Sequence, residues 1–153
     1  METELTVGNV LELQQGLSDL RRLTDERSGT KINGTLRYRI FLLTTLTKDI
    51  VESFEKAAGS LINDYAYEIF DISPHKVDKD DKPVKVSTNK WQYNSPEDKR
   101  LHLEALEKMR SEKADVKINF AMNLSELIEL NLSADSLISL RTIVKDDMAD
   151  KTN

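Results

Sequence analysis

The stretch TLRYRIFLLTTLTKDIVESFEKAAGSLINDYA, Thr35 to Ala66, carries the strongest pattern in the chain. Leu36, Leu43, Ile50 and Ala57 recur at every seventh residue, and Ile40, Thr47, Phe54 and Leu61 fill the second position of the same repeat. Thr47 is the one polar member. This spacing lines the set along one side of an α-helix, in the manner of a coiled-coil seam. At a rise of ~1.5 Å per residue, a helix over the whole stretch would be about 48 Å long. Phe41, Leu42, Leu46, Val51 and Ile62 widen the stripe, so more than one neighbour has to cover it. Gly59 and Ser60 mark a place where the helix bends or ends early.

Towards the N-terminus, Val10, Leu13, Leu17 and Leu20 form an apolar stripe, which predicts a helix from Asn9 to Glu26 with Asn9 as its cap. Gly16 lies in its middle and implies a close helix–helix approach or a slight bend. Arg27-Ser28-Gly29-Thr30 ends this element, and Asn33-Gly34 marks a turn. After the long helix the period changes. Glu68 to Ile72 reads as a short strand broken by Ser73-Pro74. Lys76-Val77 and Val84-Lys85-Val86 flank the turn-forming Asp80-Asp81-Lys82-Pro83, which predicts an exposed hairpin or a mobile loop. Ser95 and Pro96, followed by Glu97 and Asp98, form a strong helix start, with the acids beside the positive end of the helix dipole. That helix runs to about Lys113. Asp115 to Phe120 alternates polar and apolar residues as a half-buried strand does. Short helices follow over Ser125–Leu130 and Ala134 to about Val144, the second capped by Ser133.

The predicted fold is α+β and mainly helical: a long central helix, shorter antiparallel helices, and a small β-sheet or hairpin. At 153 residues the chain fits one domain, placed at 1–145, with 146–153 as an acidic, frayed tail.

Composition narrows the function. Charged residues make up 32% of the chain, and 27 acidic against 22 basic side chains give a net charge of −5, which disfavours nucleic acid as a partner. Arg37, Tyr38 and Arg39 are the nearest approach to a basic-aromatic stripe and are too few for one. Cysteine is absent, which removes disulfides, thiolate catalysis and cysteine-held metals. The N-terminal residues have no apolar run of a secretory signal, and no window approaches the ~18 apolar residues of a membrane span. His75 and His102 stand far apart, and His102 reads as a surface partner of Asp98. The Asp78 loop fails as an EF-hand, because Lys82, Pro83 and Asn89 occupy positions that need an oxygen ligand, glycine and glutamate. No glycine-rich phosphate loop, nucleophile elbow or His-Glu-x-x-His is present. The chain therefore reads as non-enzymatic and without a cofactor, although a site built from carboxylates alone stays open. Arginine and aromatic residues are enriched where proteins meet, so Arg37, Tyr38, Arg39, Trp91 and Tyr93 are the candidate partner-binding residues. The long seam serves either the chain's own core or a helix of another chain, including a second copy.

The N-terminal Gly-Asn-Val-Leu-Glu-Leu-Gln-Gln-Gly-Leu-Ser-Asp-Leu helix leads to Leu36-Arg37-Tyr38-Arg39-Ile40, then to Phe54-Glu55-Lys56 and Leu61-Ile62-Asn63-Asp64-Tyr65. Val116-Lys117-Ile118, Leu124-Ser125-Glu126-Leu127 and Leu132-Ser133-Ala134 follow in that order. This succession resembles small proteins of tailed bacteriophages and prophages, mostly of unknown function, over most of the chain outside Ile72–Tyr93. The resemblance implies a phage setting and brings no functional residue with it. A phage structural or assembly protein is the first expectation, in the bacterial cytoplasm or on the virion. An inhibitor or regulator of a host protein, including a defence protein, is the second.

Overall fold

The computed structural model describes residues 2–25 and 31–149. The chain divides into two compact units, Met1–Phe54 with Met109–Asn153, and Glu55–Lys108. The division falls inside the long helix.

The first unit opens on strand β1 (Thr3–Thr6), an element the sequence pattern does not announce. Its partner is β4 (Lys113–Ile118), paired antiparallel with Thr3 opposite Ile118. A four-residue strand has too little pattern to announce itself, and its partner lies at the other end of the chain. Helix α1 follows at once (Val7–Asp25). Asn9 is not its cap. Thr6 is: its hydroxyl accepts from the Asn9 N–H at 3.2 Å, while Asn9 Oδ1 accepts from the Thr6 N–H at 3.0 Å. The two close a reciprocal capping box, an arrangement in which the N-cap residue contributes about 1 kcal/mol. The expected stop at Arg27–Thr30 lies outside the described residues.

Helix α2 (Gly34–Leu61) is the long helix, about 42 Å at ~1.5 Å per residue. Asn33 caps it, accepting from the Leu36 N–H at 2.8 Å. It runs through Gly59-Ser60 and ends in a 3-10 turn, Ile62–Asp64, short of the expected Ala66. Its seam divides at mid-length. Leu36, Ile40, Leu43 and Thr47 are buried, Ile50 and Phe54 are half-buried, and Ala57 is exposed. The Thr47 hydroxyl donates to the Leu43 carbonyl at 2.8 Å, which removes the cost of burying a polar group in the seam.

The remaining elements of the first unit are β5 (Met122–Asn123), α4 (Leu124–Glu129), α5 (Ala134–Leu140) and β6 (Val144–Lys145). β6 runs parallel to β5, with Met122 opposite Val144. Ser133 caps α5 as expected, accepting from the Ser136 N–H at 3.2 Å. The start of the expected frayed tail is tied down, because the Asp147 carboxylate accepts from the Ser125 N–H at 3.0 Å at the start of α4. One apolar cluster joins all of this: Leu5, the α1 stripe from Val10 to Leu20, Leu36, Ile40 and Leu43 of α2, Val116 and Ile118 of β4, and Met122, Leu127 and Leu140.

Gly16 marks the tightest place in that core. A Cβ there would stand 2.4 Å from Leu140 Cγ and 2.9 Å from the Ser136 carbonyl oxygen. The Ser139 hydroxyl also enters the α1 ladder, accepting from the Gly16 N–H at 2.9 Å and donating to the Glu12 carbonyl. One turn further on, the buried Ser136 hydroxyl donates to the Asp19 carboxylate. Helix α1 and α5 are therefore in close contact, as a glycine in mid-helix implied.

The second unit holds the end of α2, then β2 (Ala66–Val77), β3 (Pro83–Tyr93) and most of α3 (Pro96–Ser111). β2 and β3 form a two-stranded antiparallel hairpin and pair with no other described strand. β2 does not break at Ser73-Pro74; its register shifts between Ile72 and Val77, which accommodates a residue without an N–H. Asp78 builds the turn, its side chain accepting from the N–H groups of Asp80 and Lys82 at 2.9 and 3.0 Å. Ser95 caps α3 as expected, its hydroxyl accepting from the Asp98 N–H at 3.0 Å.

Two measurements test the α1–α5 contact. Gly16→Ala, which on a free helix would stabilise by up to ~1 kcal/mol, is expected here to destabilise by about 1–3 kcal/mol in urea unfolding, because the added methyl overpacks the contact. Hydrogen bonds from the Ser136 hydroxyl and the Gln15 amide hold the Asp19 carboxyl below the usual carboxylate range. A lowered pKa in the folded state contributes stability above the ordinary carboxylate value, lost as pH falls through the lowered one. The stability difference between the wild type and Ser136→Ala is therefore expected to be largest near neutrality and to shrink below about pH 4.

Candidate functional site

The five candidate residues fall in different units, three on α2 in the first and two on β3 in the second. Arg37 and Tyr38 project from α2 and are exposed. Arg37 makes no side-chain hydrogen bond or ion pair among the described residues, and Tyr38 is two-thirds exposed. Arg39 is engaged inside the first unit. Its Nη1 donates to the Ala121 carbonyl at 2.8 Å, and its guanidinium lies 5.3 Å from the centre of the Phe120 ring. That pairing of a hydrogen bond with a cation–π contact fastens the segment between β4 and β5 to α2. Arg39 is thus a clasp rather than a free binding group.

Trp91 and Tyr93 stand on one face of the hairpin, in register with Glu68 and Ala66 of β2. Tyr93 is fixed: its hydroxyl shares a 2.9 Å hydrogen bond with Nδ1 of His102 on α3. The rings of Tyr65 and Tyr93 lie 5.7 and 5.6 Å from the imidazole. His102 is 5% exposed, and its Nε2 has no partner among the described residues. The surface pairing with Asp98 expected from their i, i+4 spacing is therefore not its setting. α3 turns the imidazole inward and leaves Leu101 and Leu103 exposed. Asp98 is instead held at the helix start by the Ser95 hydroxyl, at 2.9 Å.

Along the hairpin the two faces follow from the register. Phe70 and Ile72 continue the face of Trp91 and Tyr93, while Tyr67, Ile69 and Val86 occupy the other. All but Tyr93 are exposed, and Ile72 and Val77 are about two-thirds so. A sheet with one wet face alternates apolar and polar residues. This hairpin does not. Among the described residues of the second unit only Ala66 and His102 are buried. The sequence reading singled out Trp91 and missed Phe70, Ile72 and Val77. Their signal was present: large apolar side chains on both sides of a turn rich in aspartate and lysine.

The described surface includes shallow cavities. One, about 610 Å³, lies along Gln14, Leu17, Ser18, Arg21, Arg22 and Asp25 of α1, with Thr44 of α2. A second, about 280 Å³, follows the β1–β4 pair, where Lys113 approaches Glu4 at 3.0 Å and holds that carboxyl below the usual range. A third, about 210 Å³, lies beside Lys31, Asn33, Glu126 and Glu129. Among the described residues no three His, Asp or Glu side chains gather closely enough to hold a metal ion. No described helix is long and apolar enough to cross a membrane.

The Tyr93–His102 bond gives a direct check on how the hairpin is anchored. Tyr93→Phe leaves both imidazole nitrogens buried without a partner and is expected to cost the second unit about 1–3 kcal/mol. Adding His102→Leu removes the stranded polar group and is expected to recover most of that loss. Trp91 is the only tryptophan in the chain, so its fluorescence during urea unfolding reports on this unit. No protein-family model, curated protein or solved structure matches this chain.

Proposed function

We propose that this chain is a non-enzymatic phage structural or assembly protein that acts through protein–protein contacts, with the β2–β3 hairpin as its main contact surface. One observation carries the proposal: the hairpin exposes large apolar side chains on both faces, in a unit that buries almost none of its own. A two-stranded hairpin is only marginally stable alone, and exposed apolar patches mark interaction sites. Neither of its outer edges pairs with another described strand, so a partner strand can extend the sheet while side chains on either face enter pockets. Charge does not oppose such a contact. The acids Glu68, Asp71, Asp78, Asp80 and Asp81 are matched by Lys76, Lys79, Lys82, Lys85 and Lys90, which leaves the hairpin neutral in a chain of net charge −5. A hairpin with exposed apolar side chains and no net positive charge suits a protein partner better than a nucleic-acid backbone.

The setting we assign, the bacterial host cytoplasm or the virion, rests on the phage likeness of the segment order. The antiparallel course expected for the shorter helices belongs to the same proposal. A second reading, an inhibitor or regulator of a host protein, draws on the acidic balance of the whole chain, which suits a basic host target.

Mass spectrometry of purified particles separates the two. A structural protein is expected in the particles, and Phe70→Asp with Ile72→Lys should reduce its incorporation at least about tenfold while leaving the helical circular dichroism unchanged. Incorporation that ignores both substitutions would remove the hairpin from the account. Absence from particles, together with hairpin-dependent retention of one host protein, would favour the inhibitor.

A further inference from the structure

Asn33-Gly34 is the one Asn-Gly pair in the chain, and the structure places it at the start of α2. An asparagine side chain can close a five-membered ring onto the backbone nitrogen of the next residue. A Cβ on that next residue hinders the closure, and glycine has none. This pair is therefore where the chain's asparagines are chemically weakest, and both of its residues are exposed. In the folded chain the Asn33 side chain is held at both of its polar atoms. Its Oδ1 accepts from the Leu36 N–H at 2.8 Å, as the cap of α2, and its Nδ2 donates to Glu126 Oε1 of α4 at 2.8 Å. Its backbone carbonyl accepts from the Arg37 N–H at 3.0 Å. The shallow cavity that Asn33 shares with Lys31, Glu126 and Glu129 opens the side chain to solvent.

We propose that Asn33-Gly34 is a modification site at which the chain deamidates without an enzyme, at a rate governed by the tie between Asn33 and Glu126. The Gly34 backbone nitrogen, giving up its proton, attacks Asn33 Cγ. The new C–N bond closes a succinimide, and the side-chain amide leaves as ammonia. Water then opens the ring at either carbonyl and gives aspartate or isoaspartate, with one water consumed and one ammonia released. Ring closure rotates the Asn33 amide and so breaks both of its hydrogen bonds. The reaction therefore waits for the first turn of α2 to fray, an opening of low cost at a helix end. The neighbours decide what the product does. Aspartate caps a helix as well as asparagine does, and it suits the positive end of the helix dipole. It cannot donate to Glu126, however, and sets a second carboxylate where a hydrogen bond stood. Glu129, on the same cavity, adds to the repulsion, and Lys31 offsets part of it. The aspartate product thus keeps α2 capped and turns its tie to α4 from attraction into repulsion.

Peptide mapping by mass spectrometry tests the proposal on the full chain, incubated at mildly alkaline pH with and without urea. Asn33 is expected to exchange its amide for an acid in both, about ten- to a hundredfold more slowly in the folded protein. Gly34→Ala adds a Cβ that meets nothing within 4 Å, so it should leave the fold intact and nearly stop the conversion in both conditions. Glu126→Ala should speed conversion of the folded protein about two- to fivefold, the share of one hydrogen bond, and leave the rate in urea unchanged. Stability in urea reads the product: Asn33→Asp is expected to cost more beside Glu126 than in the Glu126→Gln background, where the glutamine amide can donate to the new carboxylate. An Asn33 that keeps its amide in the folded protein while the unfolded chain converts overturns the proposal. So does a folded-state rate that Glu126→Ala leaves unchanged, or a conversion that proceeds undiminished in Gly34→Ala. An Asn33→Asp cost that is the same in both backgrounds overturns the repulsion assigned to the product.

Discussion

Helix α2 carries apolar side chains beyond its buried seam, among them Tyr38, Phe41 and Leu46, and the core of the first unit covers only part of them. Leu36, Ile40, Leu43 and Thr47 pack into the cluster that α1, β4, α4 and α5 share. Beyond Phe54 the same repeat continues through Ala57 and Leu61 with no comparable core to receive it. The division into two units falls at that point. The apolar repeat of the helix is thus longer than the run of it that the first core receives. The thin packing of the second unit and the bare outer face of α2 are consequences of one mismatch between helix length and core size.

Close contact keeps the first unit well determined despite its short elements. Gly16 lets α5 approach α1 until the Ser139 hydroxyl bridges Glu12 and Gly16 within the helix ladder. Polar side chains then finish the helix ends: Thr6 with Asn9 on α1, Asn33 on α2, Ser133 on α5, and Asp147 reaching back to Ser125. Each satisfies backbone groups that burial would otherwise leave stranded. The second unit has the same quality of capping at Ser95, and Tyr93 supplies the hydrogen bond to its buried His102. Local geometry is as definite there as in the first unit, while the apolar burial that would hold it is missing.

This contrast also explains what could be read from the residues. Features governed by local chemistry were legible: the α2 repeat, the caps at Ser95 and Ser133, the Asp80–Pro83 turn, and the close approach at Gly16. Features governed by distant partners were not. β1 is a strand because residues 113–118 lie beside it, and nothing within Thr3–Thr6 says so. His102 sits among charged residues in sequence, and only the return of β3 brings Tyr93 over it. Arg39 resembles a binding residue in the Arg37-Tyr38-Arg39 run, yet Ala121 and Phe120 occupy it. The sequence pattern also located the apolar residues of the hairpin without revealing that no third described strand would cover them.

An apolar surface on the hairpin thus remains after the chain has built its own core, and the account holds that a partner covers it. Site-specific photocrosslinking in cells that produce the protein addresses that claim directly. A photoreactive residue in place of Ile72, on the hairpin, is compared with one in place of Lys99, an exposed polar position on α3. The account predicts a discrete heavier adduct from position 72 and none from position 99. No adduct at 72, or the same diffuse labelling at both, would contradict it.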